Sequence, residues 1–199
     1  MTLSGGVRSK DAATLAASIA AAAAIGDRQA GGRQPFFCGD IDMRIARDGT
    51  WYYLGSPIGR KPLVKLFASV LRRESDGDYY LRTPAEICRI KVDDAPFVAV
   101  DVDAEGEGPA QRLVFRTNLD DVVTADADHP ISVRFDPATA EPSPYVLVRD
   151  GLEALIARAV YYRLVAIGEE RPAARGPELG VWSGGQFFVL GALDHAGAP

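Results

Sequence analysis

Ile41-Asp42-Met43-Arg44-Ile45-Ala46-Arg47-Asp48-Gly49-Thr50-Trp51-Tyr52-Tyr53-Leu54 is the stretch whose reading decides the fold. Ile41, Met43 and Ile45 alternate with Asp42 and Arg44, the period of a strand with one buried face. Trp51 to Leu54 is aromatic and apolar, a second strand. Asp48-Gly49 lies between the two, and Asp-Gly between strand-like runs predicts a tight hairpin with residues at positive φ. The chain therefore opens its folded body with a β-hairpin.

Outward from this hairpin the punctuation continues. Pro57 and Gly59 break the chain, and Pro62 stands where a first helical turn would begin, where its missing N–H costs nothing. Leu63, Leu66, Phe67, Val70 and Leu71 then recur at helical spacing, which predicts a helix ending near Glu74. Ser75-Asp76-Gly77-Asp78 is turn chemistry, and Tyr79-Tyr80-Leu81 reads as a strand. Further short strands are expected at 87–92, 97–102, 113–115, 122–123, 131–135 and 145–148, a meander or sandwich-like sheet. Asp150 and Glu153 stand in a capping-box relation. Leu152, Leu155, Ile156, Ala159 and Val160 then predict a second helix, reaching about Ile167. Residues 169–179 read as a loop, and Phe187–Leu190 as a buried closing strand.

These elements imply an α+β fold of two tandem related subdomains. Hairpin, helix and strand occur at 41–81 and again at 131–190, with Leu63, Leu66 and Phe67 matching Leu152, Leu155 and Ile156. The expected divisions are 1–34 (an Ala-rich helix and linker), 35–83, 84–193 and a tail at 194–199. The Ala-rich run from Asp11 to Ile25 is shorter than the roughly 20 apolar residues of a spanning helix. It reads as a helix docked through Leu15 and Ile19, with a signal-like segment as the alternative. No membrane span and a cytoplasmic location are expected.

Across 199 residues, 47% hydrophobic and 25% charged, the composition is that of a globular protein. Net charge is −5, which argues against a nucleic-acid coat. Ten Lys/Arg against five Asp/Glu make residues 44–91 net +5, whereas 92–128 are net −8. The basic segment permits a small anionic ligand. Two Cys and two His are a sparse set for a Cys/His zinc site, and neither a metal nor a cofactor is expected. Cys38 and Cys88 read as buried thiols, or as redox-active ones if a cation is near.

Several motifs fail on inspection. Asp101-Val102-Asp103-Ala104-Glu105-Gly106 begins like a calcium loop, but Arg112 occupies the position of the closing Glu. Gly106-Glu107-Gly108 lacks the third Gly of a dinucleotide loop. Ser183-Gly184-Gly185 reads as a turn rather than a nucleophile elbow. His129 and His195 have no evident orienting partner. The cations are more suggestive: Arg60 with Lys61, and Arg149, each precede an expected helix, where backbone N–H groups favour anions.

Gly39-Asp40-Ile41-Asp42-Met43-Arg44-Ile45, Asp48-Gly49-Thr50-Trp51, Pro57-Ile58-Gly59-Arg60 and Leu66–Glu74 resemble the DUF1285 family, a bacterial domain of unknown function. Thr83-Pro84-Ala85-Glu86, Asp94-Ala95-Pro96-Phe97, Thr117-Asn118, His129-Pro130, Pro144-Tyr145, Val148-Arg149 and Trp182-Ser183 continue the likeness over about 35–192. One departure is Gln34-Pro35-Phe36-Phe37, where a Trp-containing stretch is expected. The resemblance implies a duplicated α+β core. It also implies a C-terminal half superficially like pleckstrin-homology domains, a nucleotide-like ligand between the halves and a signalling role. It implies no catalytic residues.

The reading that follows is a non-catalytic ligand-binding or signalling module. Its expected site residues are Arg44, Trp51, Arg60, Thr117, Asn118, Arg149 and Trp182, which would stack on and pair with a planar anion. Two rival readings are kept. One is a hydrolase or transferase on a small phosphorylated substrate, with His129 or Asp42 as base. The other is a protein–protein adaptor using exposed strands and the acidic stretch 101–107.

Overall fold

The Asp48-Gly49 turn closes the expected hairpin, by a slightly different geometry. The Gly49 N–H donates to the Ala46 carbonyl and the Ala46 N–H to the Thr50 carbonyl, both at 2.9 Å. Gly49 alone carries the positive φ, 82°. This is a three-residue loop ending in a left-handed Gly, rather than a two-residue primed turn. The structure, a computed structural model, describes residues 35–174 and 176–193 together with Thr14 and Ala17. Thr14 and Ala17 are helical and exposed. The rest of the expected Ala-rich helix, its linker and His195 lie outside the described residues.

The chain divides into two units, Met1–Arg44 with Trp51–Lys91, and Ile45–Thr50 with Val92–Pro199. The first is built on β1 (Phe36–Ile45), β2 (Trp51–Tyr53), β3 (Ser56–Pro57), α1 (Lys61–Ser69), β4 (Leu71–Arg73), β5 (Tyr79–Arg82) and β6 (Glu86–Val92). Its sheet runs β3-β2-β1-β6-β5-β4. The chain leaves the centre along β1, reaches one edge, crosses through α1 to the other edge and returns to the centre along β6. Phe36 N–H donates to the Ala85 carbonyl just before β6, and Arg89 reaches back to Asp40. Those two pairings place β1 and β6 in parallel.

α1 is shorter than its apolar spacing predicts. Val64, Phe67 and Ala68 are its buried face, while Leu63 and Leu66 are half-buried flanks. Val70 caps the helix, and Leu71 is fully buried on β4 instead. Trp51, 1% exposed, stacks on Phe67 with ring centroids 6.2 Å apart. Cys38 on β1 and Cys88 on β6 are joined in a disulfide, which corrects the expected free thiols.

The second unit holds β7 (Phe97–Glu105), β8 (Arg112–Thr117), β9 (Val122–Thr124), β10 (Ile131–Phe135), β11 (Pro142–Arg149) and β12 (Leu152–Ile156). After these come α2 (Arg158–Ala166), β13 (Glu169–Arg171), β14 (Glu178–Ser183) and β15 (Gln186–Ala192). One sheet runs β10-β11-β12-β7-β8-β9 and the other β13-β14-β15. β12 and β7 pair in parallel at the centre of the six-stranded sheet. Each six-stranded sheet is thus two three-stranded meanders joined at a parallel central pair.

The second expected helix is half a strand. Asp150 (φ 42°) and Gly151 (φ 74°) form the turn of a hairpin, with Arg149 opposite Leu152. Two consecutive positive φ values are the signature of a type I′ turn, which Asp-Gly favours. Asp150 is therefore no helix cap. Leu152, Ala154 and Ile156 are buried in alternation, and the helix begins only at Arg158. This removes the expected superposition of Leu152, Leu155 and Ile156 on α1. It also removes the placing of Arg149 at a helix start. Residues 169–179, expected as a loop, include β13 and the first residues of β14. Among the described residues, no helix is long and apolar enough to cross a membrane.

Candidate functional site

A cleft of about 270 Å³ opens in the second unit where three segments converge. Glu141, Pro142 and Pro144 come from the start of β11, and Leu155 and Ile156 from the end of β12. Ala157, Arg158, Tyr161 and Tyr162 come from the entry and first turn of α2, and Arg47 from the hairpin turn. The local reason is steric. Pro142 and Pro144 lie on β11 in register with β10, which is the edge strand of the sheet, and the chain rises from β12 into α2 through Ala157.

The cleft carries two exposed guanidinium groups. The Arg47 side chain is 61% exposed; its Nη2 donates to Ser143 Oγ at 2.8 Å and its Nη1 stands 3.4 Å from Asp94 Oδ2. The Arg158 side chain is 71% exposed and donates to Glu141 Oε1. α2 begins with no side-chain cap and no acidic residue in its first turn, so the positive end of its dipole is uncompensated there. Tyr162 is 61% exposed. Tyr161 donates its hydroxyl to the Leu190 carbonyl, and burial raises its pKa above the usual phenol value.

Behind Arg47 lies a polar cluster. Tyr145 donates to Asp94 Oδ1 at 2.7 Å. Burial, and then that hydrogen bond, raise the Tyr145 pKa. Arg134 lies 4.1 Å over the Tyr145 ring and pairs with Glu153. Asp94 Oδ2 is buried without a hydrogen bond, so the Arg47 charge is its compensation.

In the first unit, Arg44 lies 4.8 Å over the Tyr52 ring. Trp51 is in the core, its indole N–H without a hydrogen-bond partner. Arg60 is the exposed residue preceding α1, and its carbonyl accepts from Leu63 and Val64. In the second unit, the buried Thr117 Oγ1 accepts the N–H groups of Leu119 and Asp121. Asn118 accepts from Val98 N–H and donates to the Gly49 carbonyl. Arg149 lies 4.9 Å over the Phe97 ring and 3.4 Å from Asp121. These three gather at the turn after β8. Trp182 belongs to the three-stranded sheet, where its indole N–H donates to Glu169 and Arg171 covers its ring.

The residues considered for catalysis are mostly engaged. Ser183 Oγ is fully buried, donates to the Ala125 carbonyl and accepts from the Leu113 N–H. His129 does have an orienting partner, Asp126, at 3.1 Å from Nδ1. Burial would raise the Asp126 pKa, but hydrogen bonds from the His129 and Asp128 backbone and the His129 ring outweigh it and hold it low. Asp101, in the acidic stretch, is clamped by Arg163 and Arg116, which depress its pKa. Arg158, Tyr161 and Tyr162 are not among the residues that the sequence singles out. The one available signal was Arg158-Ala159-Val160-Tyr161-Tyr162 directly after an alternating strand.

Two family models match. The DUF1285 N-terminal domain, a domain of unknown function, matches residues 33–95, and the C-terminal domain of the same family matches 96–190. The chain is similar to a DUF1285 family protein from Silicibacter pomeroyi DSS-3, with 50% identity and a TM-score of 0.76. That likeness covers 88% of this chain and 95% of the other. A DUF1285 family protein from Shewanella baltica OS155 is similar at 29% identity and a TM-score of 0.50, over 63% of this chain and 91% of the other. No curated protein matches.

Proposed function

The chain belongs to the DUF1285 family, and from that premise we propose that it is a non-catalytic binding module for a small planar organic anion. The ligand sits in the cleft lined by Arg47 and Arg158. The observation that carries this reading is the convergence of two exposed guanidinium groups, an uncapped helix start and two tyrosines on one concavity. Guanidinium pairs bidentately with carboxylate or phosphate, and Tyr and Pro faces accept a flat ring. The volume lies near the lower end of small-molecule sites, which suits a ligand of mononucleotide size or less. A nucleotide-like ligand and a signalling role are the specific form of this reading. The pleckstrin-homology-like character of the C-terminal half belongs to it too, and brings no lipid ligand with it. A cytoplasmic location is part of the same reading, and fractionation of the native host decides it.

Thermal denaturation with inorganic phosphate, mononucleotides and aromatic carboxylates tests the proposal. Ligand at 100 times its Kd adds about 2.7 kcal/mol. Arg47→Ala and Arg158→Ala should each abolish the shift. Arg158→Ala should leave the unliganded melting point within a few degrees, whereas Arg47→Ala also strips the buried Asp94 Oδ2 of its counter-charge and should lower it. No shift at millimolar ligand overturns the reading. A shift lost in Arg149→Ala and kept in both cleft variants moves the ligand to Arg149, with Thr117 and Asn118 beside it.

A further inference from the structure

We propose that Cys38 and Cys88 form a reversible thiol-exchange site whose co-substrate is a low-molecular-weight thiol, with Cys38 Sγ as the sulfur attacked. The two residues are disulfide-bonded, with Cα atoms 5.2 Å apart, on β1 and β6. Those strands are neighbours in the sheet without help from sulfur. Phe36 N–H donates to Ala85, and Arg89 grips both carboxylate oxygens of Asp40 at 2.6 and 3.0 Å. Cys88 is also paired on its other side, opposite Leu81 of β5. Opening the S–S bond therefore leaves the sheet tied.

Access is one-sided. Cys88 is 5% exposed, within the core. Cys38 is half-buried, follows the exposed Phe36 and Phe37, and precedes Gly39. A Cβ added to Gly39 would meet nothing within 4 Å, so the strand is uncovered at the residue that follows Cys38, among the described residues. The reduced form is accommodated as well. The Ile87 carbonyl lies 3.3 Å from Cys38 Sγ, placed to accept an S–H hydrogen bond once the disulfide is open.

The exchange balances as follows. A thiolate R–S⁻, formed when R–SH gives up its proton, attacks Cys38 Sγ. The Sγ–Sγ bond breaks, and Cys88 leaves as a thiolate and takes that proton. A second thiolate attacks the R sulfur of the mixed disulfide, releasing Cys38, which takes the second proton. Two R–SH become one R–S–S–R, and the protein gains two electrons and two protons. The reverse runs with the small disulfide as oxidant.

The test uses the full chain without denaturant. Reduced glutathione followed by maleimide quenching and mass spectrometry should convert an unlabelled protein into one labelled at both cysteines. Oxidised glutathione should reverse the change. A trapped mixed disulfide should map to Cys38. In single variants, oxidised glutathione should modify Cys38 in Cys88→Ser at least about tenfold faster than Cys88 in Cys38→Ser, because access controls the rate. Circular dichroism should confirm that both variants are folded. If they are not, the mixed disulfide mapped in the unsubstituted chain decides. Labelling that requires denaturant, adducts mapping equally to both cysteines, or free thiols that persist in oxidised glutathione would each overturn the proposal.

Discussion

A methyl group on Gly49 would come within 2.5 Å of the Asn118 side-chain amide and 3.0 Å of Val98, on a backbone already at φ 82°. Gly49→Ala is therefore expected to destabilise the protein by about 1–3 kcal/mol, read as a lower urea midpoint. Asn118→Ala removes the hydrogen bonds to Val98 N–H and the Gly49 carbonyl and should cost about 1–2 kcal/mol. Because Asn118 is also the atom in the way, the double variant should cost less than the sum. Full additivity would separate the two residues. Ser183→Ala leaves a buried N–H at Leu113 and a carbonyl at Ala125 without their partner. It should lower stability by about 1–3 kcal/mol. The turn after Ser183 was legible from the Gly-Gly that follows it. The role of its hydroxyl was not: Ser183 ends β14, and its Oγ ties Leu113 to Ala125 instead of forming the turn, both partners being distant in the chain.

At the scale of elements, one dipeptide carries two local expectations. Asp48-Gly49 predicts a hairpin turn and Asp150, with Glu153, the start of a helix, yet both Asp-Gly pairs close hairpins. The spacing Leu152, Leu155, Ile156 fits a helix, and Leu152, Ala154, Ile156 fits a strand. Short apolar runs do not separate the two periods; pairing with β7 and β11 does. Gly151→Val places a β-branched residue at φ 74°. It should destabilise by more than about 1 kcal/mol, whereas a helix starting at Asp150 would gain from losing a Gly. Stability measured by denaturant titration separates these outcomes by sign. β13 could not be read at all. Glu169, Glu170 and Arg171 are all exposed, and only the ladder to β14 makes them a strand.

Across the whole molecule, paired and hydrogen-bonded carboxylates set the acid limit. Asp40 and Asp76 in the first unit, and Asp101, Asp126 and Asp136 in the second, all have depressed pKa values. Their first causes are hydrogen bonds from Arg89, from Tyr80, from Arg163 and from the Thr139 backbone for Asp40, Asp76, Asp101 and Asp136. A depressed carboxylate contributes stability that is complete above its unfolded value near 3.9 and is lost as pH falls through the lower folded value. The melting temperature should therefore hold from neutrality to about pH 4 and fall below it. Asp101→Asn should flatten part of that fall. A melting temperature that rises in acid would contradict the assignment.

The strand-rich α+β character, the hairpin at 41–54 and the family were legible from one sequence. Alternating apolar residues and turn dipeptides act over a few neighbours, and those forces are written locally. The tertiary structure decided the rest. Arg47 and Arg158 share a cleft because a hairpin turn and a helix start pack in one unit. Cys38 meets Cys88 because β1 lies beside β6. Both meetings join residues far apart in the chain, and no local propensity records which distant strands will pair.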